Sequence, residues 1–245
     1  MPEIRVNDDA GVRTITFDRP AKKNALTTAM YGAIADALAS AEHDAGVGAI
    51  VFAGAGADYT SGNDLRDFVA FEELSSDAPV VRFLFELARS PVPLIAAVRG
   101  RAIGVGVTML LHCDLVYASE TAKFALPFVD LGLVPEAAST LLLPRAAGHR
   151  RASELLLTGK TFDAAAAVEY GIVNAVCADA ELDSRALDAA RSLVKKPRAA
   201  LRATKKLLKG DASDIVARMQ LETDEIARLL RTSEARAAFA AILAK

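Results

Sequence analysis

The order of apolar and polar residues predicts strands and helices in alternation from the start of the chain. Apolar residues alternate with polar ones from Ile4 to Phe17, with a turn before Gly11, as in a pair of strands. From Thr27 to Gly46 apolar residues recur at helical spacing behind a threonine cap. A short apolar run between glycines over 47–52 then predicts a buried strand.

The alternation continues through the middle of the chain. Helices are predicted after Asp64, over 79–89, after the glycine turn near 104, around Pro135 and Pro144, and over 162–170. Strands are predicted over 94–98, 114–118 and 172–176. Strands joined by helical crossovers are typical of an α/β fold.

After residue 178 no further strand is predicted. Residues 182–243 instead show three or four amphipathic helices with interleaved charges. We therefore predict two parts, a core over 1–190 that contains the site and a C-terminal helical region over 191–245.

Composition narrows the function classes. The chain has 245 residues, of which 52% are hydrophobic and 24% charged, which excludes a disordered protein. The 29 Lys and Arg against 31 Asp and Glu give a net charge of −2, so no global charge favours nucleic-acid binding. Charged residues near the start argue against a secretory signal, and Cys113 and Cys177 are predicted to be free thiols. We expect a cytoplasmic protein with no membrane partner, since no apolar stretch is long enough to span a bilayer.

The sequence lacks the motifs of several common enzyme chemistries. His43, His112 and His149 stand at no metal-ligand spacing, so no metal site is predicted. The nucleophile motif GxSxG, the P-loop and a complete dinucleotide motif are absent. Two glycine turns remain, over 61–64 and 103–106, each before a predicted helix. Their amides form an oxyanion site if the turns meet, whereas tight turns and close packing are the simpler explanation of the glycines when the residues are taken alone.

Six segments together resemble the ordered signature of the crotonase superfamily, the enoyl-CoA hydratases and isomerases. They are DRPAKKNAL (18–26), YTSGNDL (59–65), PLIAAV (93–98), RAIGVGV (101–107), CDLVYA (113–118) and LGLVPE (131–136). The SGNDL and LGLVPE segments resemble in particular the peroxisomal-type Δ3,Δ2-enoyl-CoA isomerases and their bacterial relatives.

The resemblance implies a fold and an assembly. The fold is a spiral of ββα turns with two roughly perpendicular sheets and a C-terminal helical region that packs in a homotrimer or a dimer of trimers. It also implies that the two glycine turns meet, with the backbone amides of Asn63 and Val105 holding the thioester oxygen of an acyl-CoA substrate.

The positions of the catalytic glutamates distinguish the members of the superfamily from one another. Hydratases carry two glutamates, at places where this chain has Thr108 and Phe128. Glu136 matches the catalytic base of the peroxisomal-type isomerases, and Leu133, Val134 and Ala137 give it an apolar setting that raises a carboxyl pKa. Its local alternative is a helix start, since Pro135 suits the first position of a helix and a glutamate complements its dipole.

Other residues are assigned to substrate binding by the resemblance. Lys22 and Lys23 correspond to CoA contacts, with a solvated turn as the alternative. The first turn contributes Ser61, Gly62, Asp64 and Leu65, and the second contributes Gly104. Phe128, Leu133 and Phe68 line the acyl pocket. Phe239 and Lys245 correspond to contacts with the CoA of a neighbouring subunit, with core packing and a solvated tail as alternatives.

Three acids have simpler local interpretations. Asp64 is a helix cap, Asp114 a structural partner at a strand start, and Asp130 a solvated or ion-paired group.

Together these residues predict an enzyme that converts 3-enoyl-CoA to 2-enoyl-CoA with one glutamate base. CoA is part of the substrate, and no separate cofactor is expected. An enoyl-CoA hydratase with a displaced acid and a non-catalytic acyl-CoA-binding protein are the alternatives.

Overall fold

A computed structural model describes residues 3–69, 77–210 and 212–243, without the side chains of residues 68 and 69. The strands are β1 Ile4–Asp9, β2 Val12–Phe17, β3 Ala49–Gly54, β4 Leu94–Val98, β5 Arg101–Ile103, β6 Leu115–Ser119, β7 Lys123–Ala125, β8 Phe162–Asp163 and β9 Ala175–Cys177. The helices are α1 Thr28–His43, α2 Leu65–Val69, α3 Pro79–Arg89, α4 Val105–Thr108, α5 Ser139–Ala147, α6 His149–Thr158, α7 Ala164–Glu169, α8 Leu182–Val194, α9 Arg198–Lys209, α10 Ser213–Leu229 and α11 Ser233–Leu243. Short 3-10 turns cover Pro20–Lys22, Met109–His112, Val129–Leu131 and Asp179–Glu181.

The strands form two sheets. The larger has the order β1-β2-β3-β4-β6-β9, in which β1 is antiparallel to β2 and the other pairs are parallel. The smaller has the order β5-β7-β8. Both sheets and the helical C-terminal region agree with the predicted α/β crotonase-like fold.

The two sheets are built by successive steps of the chain. From β4 the chain passes to β5 and then α4, and from β6 it passes to β7 and the helices that follow. The chain makes the same passage after β2 and β3, where isolated β-bridges pair Leu26 with Asn63 and Thr60 with Ala102. Each turn of the spiral therefore adds one strand to the large sheet and one short extended segment beside the small sheet.

The predicted elements agree with the structure best where the hydrophobic period is long. The strand pair is confirmed, although β1 continues to Asp9, and α3 has its predicted bounds. Thr27 caps α1 by accepting a 3.3 Å hydrogen bond from the amide of Met30. The helix predicted over 162–170 begins with strand β8, and the strand predicted over 172–176 lies at β9 instead.

The central strands β3 and β4 of the large sheet are buried on both faces. Ile50 and Phe52 of β3 pack in the main core with α1 and α3, whereas Ala49 and Val51 face α8 on the other side. This double burial explains the nearly continuous apolar runs of β3 and β4.

The boundary predicted near residue 190 lies inside α8. Leu182, Ala186 and Ala190 of this helix are buried against the large sheet, so α8 packs with the core. The division into 1–190 and 191–245 stays a prediction. The structure contains one chain, and the trimer or dimer of trimers also stays a prediction. Among the described helices, none combines the length and the apolar character required to cross a bilayer.

Packing of α8 on the sheet can be tested by overpacking. Ala186 is fully buried in that interface, so Ala186→Leu forces extra methylenes into a filled space and is expected to lower the free energy of unfolding by about 1–3 kcal/mol. Ala200→Leu on α9 adds the same side chain at an exposed position. Urea denaturation should separate the two variants, and equal stabilities would contradict the packing described here.

Candidate active site

The two glycine turns meet in space. The amide of Thr60 donates to the carbonyl of Arg101 at 2.9 Å, and the amide of Ile103 donates to the carbonyl of Thr60 at 3.1 Å. This parallel pairing places residues 61–63 beside residues 103–105. It resolves the alternatives left open by the sequence, because the turns lie together rather than serving separate tight bends.

Gly62 is required by that approach. Its φ is +90°, and a Cβ atom at this position would lie 2.9 Å from the carbonyl oxygen of Ile103. Gly104 has φ 56° and ψ −116° immediately before α4, a combination that is accessible essentially to glycine alone.

The amides that follow these glycines are available for a ligand. Among the described residues, neither the amide of Asn63 nor that of Val105 donates to a protein acceptor, and both residues line one cavity. Val105 is the first residue of α4, where helix amides have no intrahelical partner. Two such donors at one cavity are an arrangement able to stabilise a negatively charged oxygen.

The cavity between the turns has a volume of about 190 Å³ and is mainly apolar. It is lined by Ser61, Gly62, Asn63, Leu65, Ile103, Gly104, Val105, Pro127, Phe128, Asp130, Leu131, Leu133, Glu136, Ile226, Phe239 and Ile242. Two carboxyl groups belong to this lining: Asp130 is exposed, whereas Glu136 is buried.

Glu136 is the acid with the most unusual environment in this lining. Its residue is 5% exposed, and its Oε1 atom is buried without a hydrogen-bond partner among the described residues. Burial, and to a smaller extent the charge of Glu222, raises the pKa of Glu136 to about 8. A carboxyl group with this pKa exchanges protons near neutral pH.

The alternative of Glu136 as a helix-starting residue is wrong. Residues 133–136 lie in no helix, Ala137 and Ala138 have φ of 61° and 54°, and α5 begins only at Ser139. The left-handed pair separates Glu136 from the helix and leaves its side chain at the cavity.

Ten of the residues predicted for the site line the cavity: Ser61, Gly62, Asn63, Leu65, Gly104, Val105, Phe128, Leu133, Glu136 and Phe239. Lys22 and Lys23 are exposed on the 3-10 turn outside it, and the carbonyl of Lys23 accepts a 2.9 Å hydrogen bond from the amide of Ser61. The lysines therefore flank the first glycine turn.

Asp64 does not line the cavity. Its carboxylate pairs with Arg19 at 2.7 Å and accepts a 3.1 Å hydrogen bond from the amide of Arg66, as a cap of α2 does. Its assignment to substrate binding therefore has no geometric support, whereas its interpretation as a helix cap is confirmed. Asp114 likewise has a structural role, since its Oδ2 accepts from the amide of Leu94 and from Lys205, both at 2.7 Å.

The C-terminal helices contribute to the cavity of their own chain. Ile226 of α10 and Phe239 and Ile242 of α11 line it, although the resemblance assigns Phe239 to a neighbouring subunit. Lys245 and the side chain of Phe68 lie outside the described residues. Thr108 is buried in α4 and is not part of the lining.

Sequence reasoning missed two polar residues beside the site. The hydroxyl of Tyr31 donates to Oδ1 of Asn63 and so orients that carboxamide. Glu222 is buried on α10 among Ile215, Met219 and Ile226, which recur at helical spacing. An acid within an apolar helical stripe is a readable signal of a buried polar contact. Nothing in the pattern around Tyr31 distinguishes it from a core residue.

The described residues contain no group of three or more His, Cys, Asp or Glu side chains arranged to hold a metal ion.

Comparison with known proteins gives this geometry a family context. The sequence profile described as "Enoyl-CoA hydratase/isomerase" matches residues 7–239. Rat "Enoyl-CoA delta isomerase 2" is 38% identical over 212 residues, which cover 84% of this chain and 54% of that protein. The chain thus spans about half the length of that relative.

Two further relatives show the breadth of the family. The Arthrobacter "4-chlorobenzoyl coenzyme A dehalogenase-2" is 37% identical over 201 residues, covering 79% of this chain and 73% of that protein. The solved structure of Pseudomonas aeruginosa OdaA is 40% identical, covers all of both chains and superposes with a TM-score of 0.97. On its sequence profile, fold and paired turns, the chain belongs to the enoyl-CoA hydratase/isomerase family of the crotonase superfamily, whose members act on acyl-CoA thioesters.

Proposed function

We propose that this protein isomerises 3-enoyl-CoA to 2-enoyl-CoA. The observation that supports this reaction is the pairing of one buried carboxyl group, Glu136, with two available backbone amides in one apolar cavity. The cavity contains one base for a carbon acid and one oxyanion site, which are the minimum requirements for moving a double bond.

The amides of Asn63 and Val105 act on the thioester oxygen. As a proton leaves C2, negative charge develops on this oxygen, and donors fixed by the backbone stabilise the dienolate without reorganisation. The α4 N-terminus adds a favourable dipole, although the four residues of that helix keep its contribution small.

Glu136 moves the proton. Its carboxylate takes the proton from C2, and the electron pair of the C2–H bond forms the C1–C2 double bond of the dienolate, with negative charge on the thioester oxygen. As the dienolate collapses, the carbonyl re-forms, the C1–C2 pair becomes the C2–C3 double bond, and the pair of the former C3–C4 double bond takes the proton that Glu136 delivers to C4. The base is regenerated, so one carboxyl group completes the cycle. No protein donor competes for Oε1 of Glu136, because that atom has no hydrogen-bond partner among the described residues.

The surroundings favour isomerisation over hydration. Hydration needs a second acid–base group to activate water, and the two places where hydratases carry glutamates contain Thr108 and Phe128 here. Phe128 and Leu133 line the cavity with apolar surface that disfavours a bound water molecule. The names of the relatives include both isomerase and dehalogenase, so the proposal depends on this site chemistry.

Removing the base tests the reaction. Glu136→Gln keeps the size of the side chain and removes its proton transfer, so turnover of 3-hexenoyl-CoA is expected to fall by about 10²- to 10⁴-fold. The assay follows formation of the conjugated thioester, with crotonyl-CoA hydration measured in parallel. Asp130→Asn, at the exposed acid of the same cavity, is the matched control and should have a much smaller effect.

Two results would contradict the proposal. Hydration of crotonyl-CoA that persists in Glu136→Gln, with no isomerase activity, would indicate a hydratase with another acid. Tight acyl-CoA binding by isothermal titration, with turnover of neither substrate, would indicate a binding protein.

The raised pKa of Glu136 predicts the pH dependence of the reaction. A base works only when deprotonated, so kcat/KM for 3-hexenoyl-CoA is expected to rise with pH through about 8 and to level off above it. A profile that is flat from pH 6 to 9 would exclude Glu136 as the titrating base.

The same pKa predicts a pH-dependent effect on stability. Between its ordinary value of 4.5 and about 8, Glu136 binds more protons in the folded than in the unfolded protein, so the free energy of unfolding falls as pH rises through this window. Each pKa unit corresponds to about 1.4 kcal/mol. Glu136→Gln should therefore raise the melting temperature at pH 9 and have little effect at pH 5. A variant that loses activity by unfolding would show the opposite change.

A further inference from the structure

Glu222 occupies an unusual place for an acid. It lies on the buried face of α10 and is 5% exposed. Burying a carboxylate is costly unless hydrogen bonds compensate for the lost water, so such a residue requires specific partners.

The partners of Glu222 are the first residues of α5. Oε2 accepts a 2.6 Å hydrogen bond from the amide of Ala138, and Oε1 accepts from the amide and the hydroxyl of Thr140 at 3.1 Å and 2.5 Å. Arg218, one turn earlier on α10, donates to the Thr140 hydroxyl oxygen at 3.1 Å. Glu222 thus caps α5 from a distant helix, in a position where the sequence of α5 has no capping side chain.

The capped segment is the strained turn that follows Glu136. Left-handed backbone at an alanine costs about 1–2 kcal/mol per residue, and Ala137 and Ala138 both adopt it. On the other side of the turn, Nε2 of His112 donates to the carbonyl of Ala137 at 2.8 Å. The turn is therefore held by contacts on two sides, and Glu222 supplies the contact with a negative charge.

We propose that Glu222 is a positioning residue for Glu136: it holds the turn that directs Glu136 into the cavity, and its negative charge opposes the ionised form of Glu136. The inference deepens the proposed function, since it assigns the control of that base to the C-terminal region. It stands on the hydrogen bonds and the strained turn.

The other titratable groups around Glu136 add little charge. Burial lowers the pKa of His112 to about 4, so its ring is neutral near pH 7. Burial, with the charges of Glu136 and Asp67, raises the pKa of Tyr31 well above its usual value, which keeps the phenol neutral as well. Asp130 is exposed, so water screens its charge.

Arg218 opposes the effect of Glu222 on Glu136, because its positive charge acts on the carboxyl group of Glu222. Burial raises the pKa of Glu222, while the donors on Thr140 and Ala138 and the charge of Arg218 favour its ionised form. Both oxygens of the Glu222 carboxyl group accept hydrogen bonds from backbone amides, which favours a carboxylate at this position, and Arg218 partly compensates its negative charge.

Neutralising Glu222 tests the charge. In Glu222→Gln, the rising limb of the kcat/KM profile for 3-hexenoyl-CoA is expected to move to lower pH by about one unit. In Arg218→Gln the limb should move to higher pH. Glu225→Gln is the matched control, because this glutamate lies on the same helix, its side chain is 43% exposed and it pairs with Arg228.

A structural role alone gives a different result. If Glu222 only holds the fold, activity falls at every pH in Glu222→Gln and the limb stays where it is in both variants, which would overturn the proposal. Arg218→Gln keeps this test decisive should Glu222→Gln fail to fold, since the shift it predicts has the opposite sign.

A second readout does not require catalysis. Thermal unfolding of wild type, Glu136→Gln, Glu222→Gln and the double variant at pH 9 should show that the stabilisation by Glu136→Gln shrinks when Glu222 is neutral. At pH 5, where Glu136 is protonated, the coupling should vanish. If the effects of the two substitutions on thermal unfolding are coupled but the protein has no isomerase activity, the proposed reaction is refuted and the role of Glu222 is retained. If the two effects are additive at pH 9, the role of Glu222 is refuted.

Discussion

The parallel pairing of residues 60–62 with residues 101–103 is the interaction on which the site depends. Two backbone hydrogen bonds, of 2.9 Å and 3.1 Å, join segments that are forty residues apart in sequence. They bring the amides of Asn63 and Val105 to one cavity, and Gly62 permits the approach because no Cβ atom stands in the way. The large sheet maintains this pairing, since β3 and β4 lead into the two segments as neighbours.

A buried carboxyl group imposes a second constraint. The cavity holds Glu136 among apolar side chains, where its charged form is disfavoured, and the protein compensates by fixing the turn around it. The contacts come from two other parts of the chain: His112, which follows the second glycine turn, bonds to Ala137, and Glu222 of α10 bonds to Ala138. Reactivity and stability are therefore opposed at this residue, as is common for acid–base groups.

Much of the fold was predictable because its elements obey simple periods. The helix behind Thr27 and the buried runs of β3 and β4 follow from spacing and burial alone. Strands of two or three residues, such as β8 and β9, contain too few residues to show a period. The spiral was visible only through the resemblance, since its turns share geometry but not sequence.

The residues of the site also fall into those that a sequence motif reveals and those that it does not. Backbone donors at Asn63 and Val105 and the acid at Glu136 were assigned through motif segments. Asp64 was assigned to the substrate although its contacts are to Arg19 and the α2 backbone, because a motif records order along the chain and not side-chain direction. Tyr31 and Glu222 were missed, since each reaches the site from a helix whose sequence contains no motif.

The cavity lining takes its polar and its apolar parts from different regions of the chain. Its polar atoms come from turns within the first 136 residues, whereas Ile226, Phe239 and Ile242 supply apolar walls from α10 and α11. A change of side-chain volume at these three positions alters the room for an acyl group without displacing a backbone donor or the carboxyl group. The size of the cavity can therefore vary at these three positions while the bond chemistry is kept, provided that Glu222 of α10 retains its contacts with the turn after Glu136.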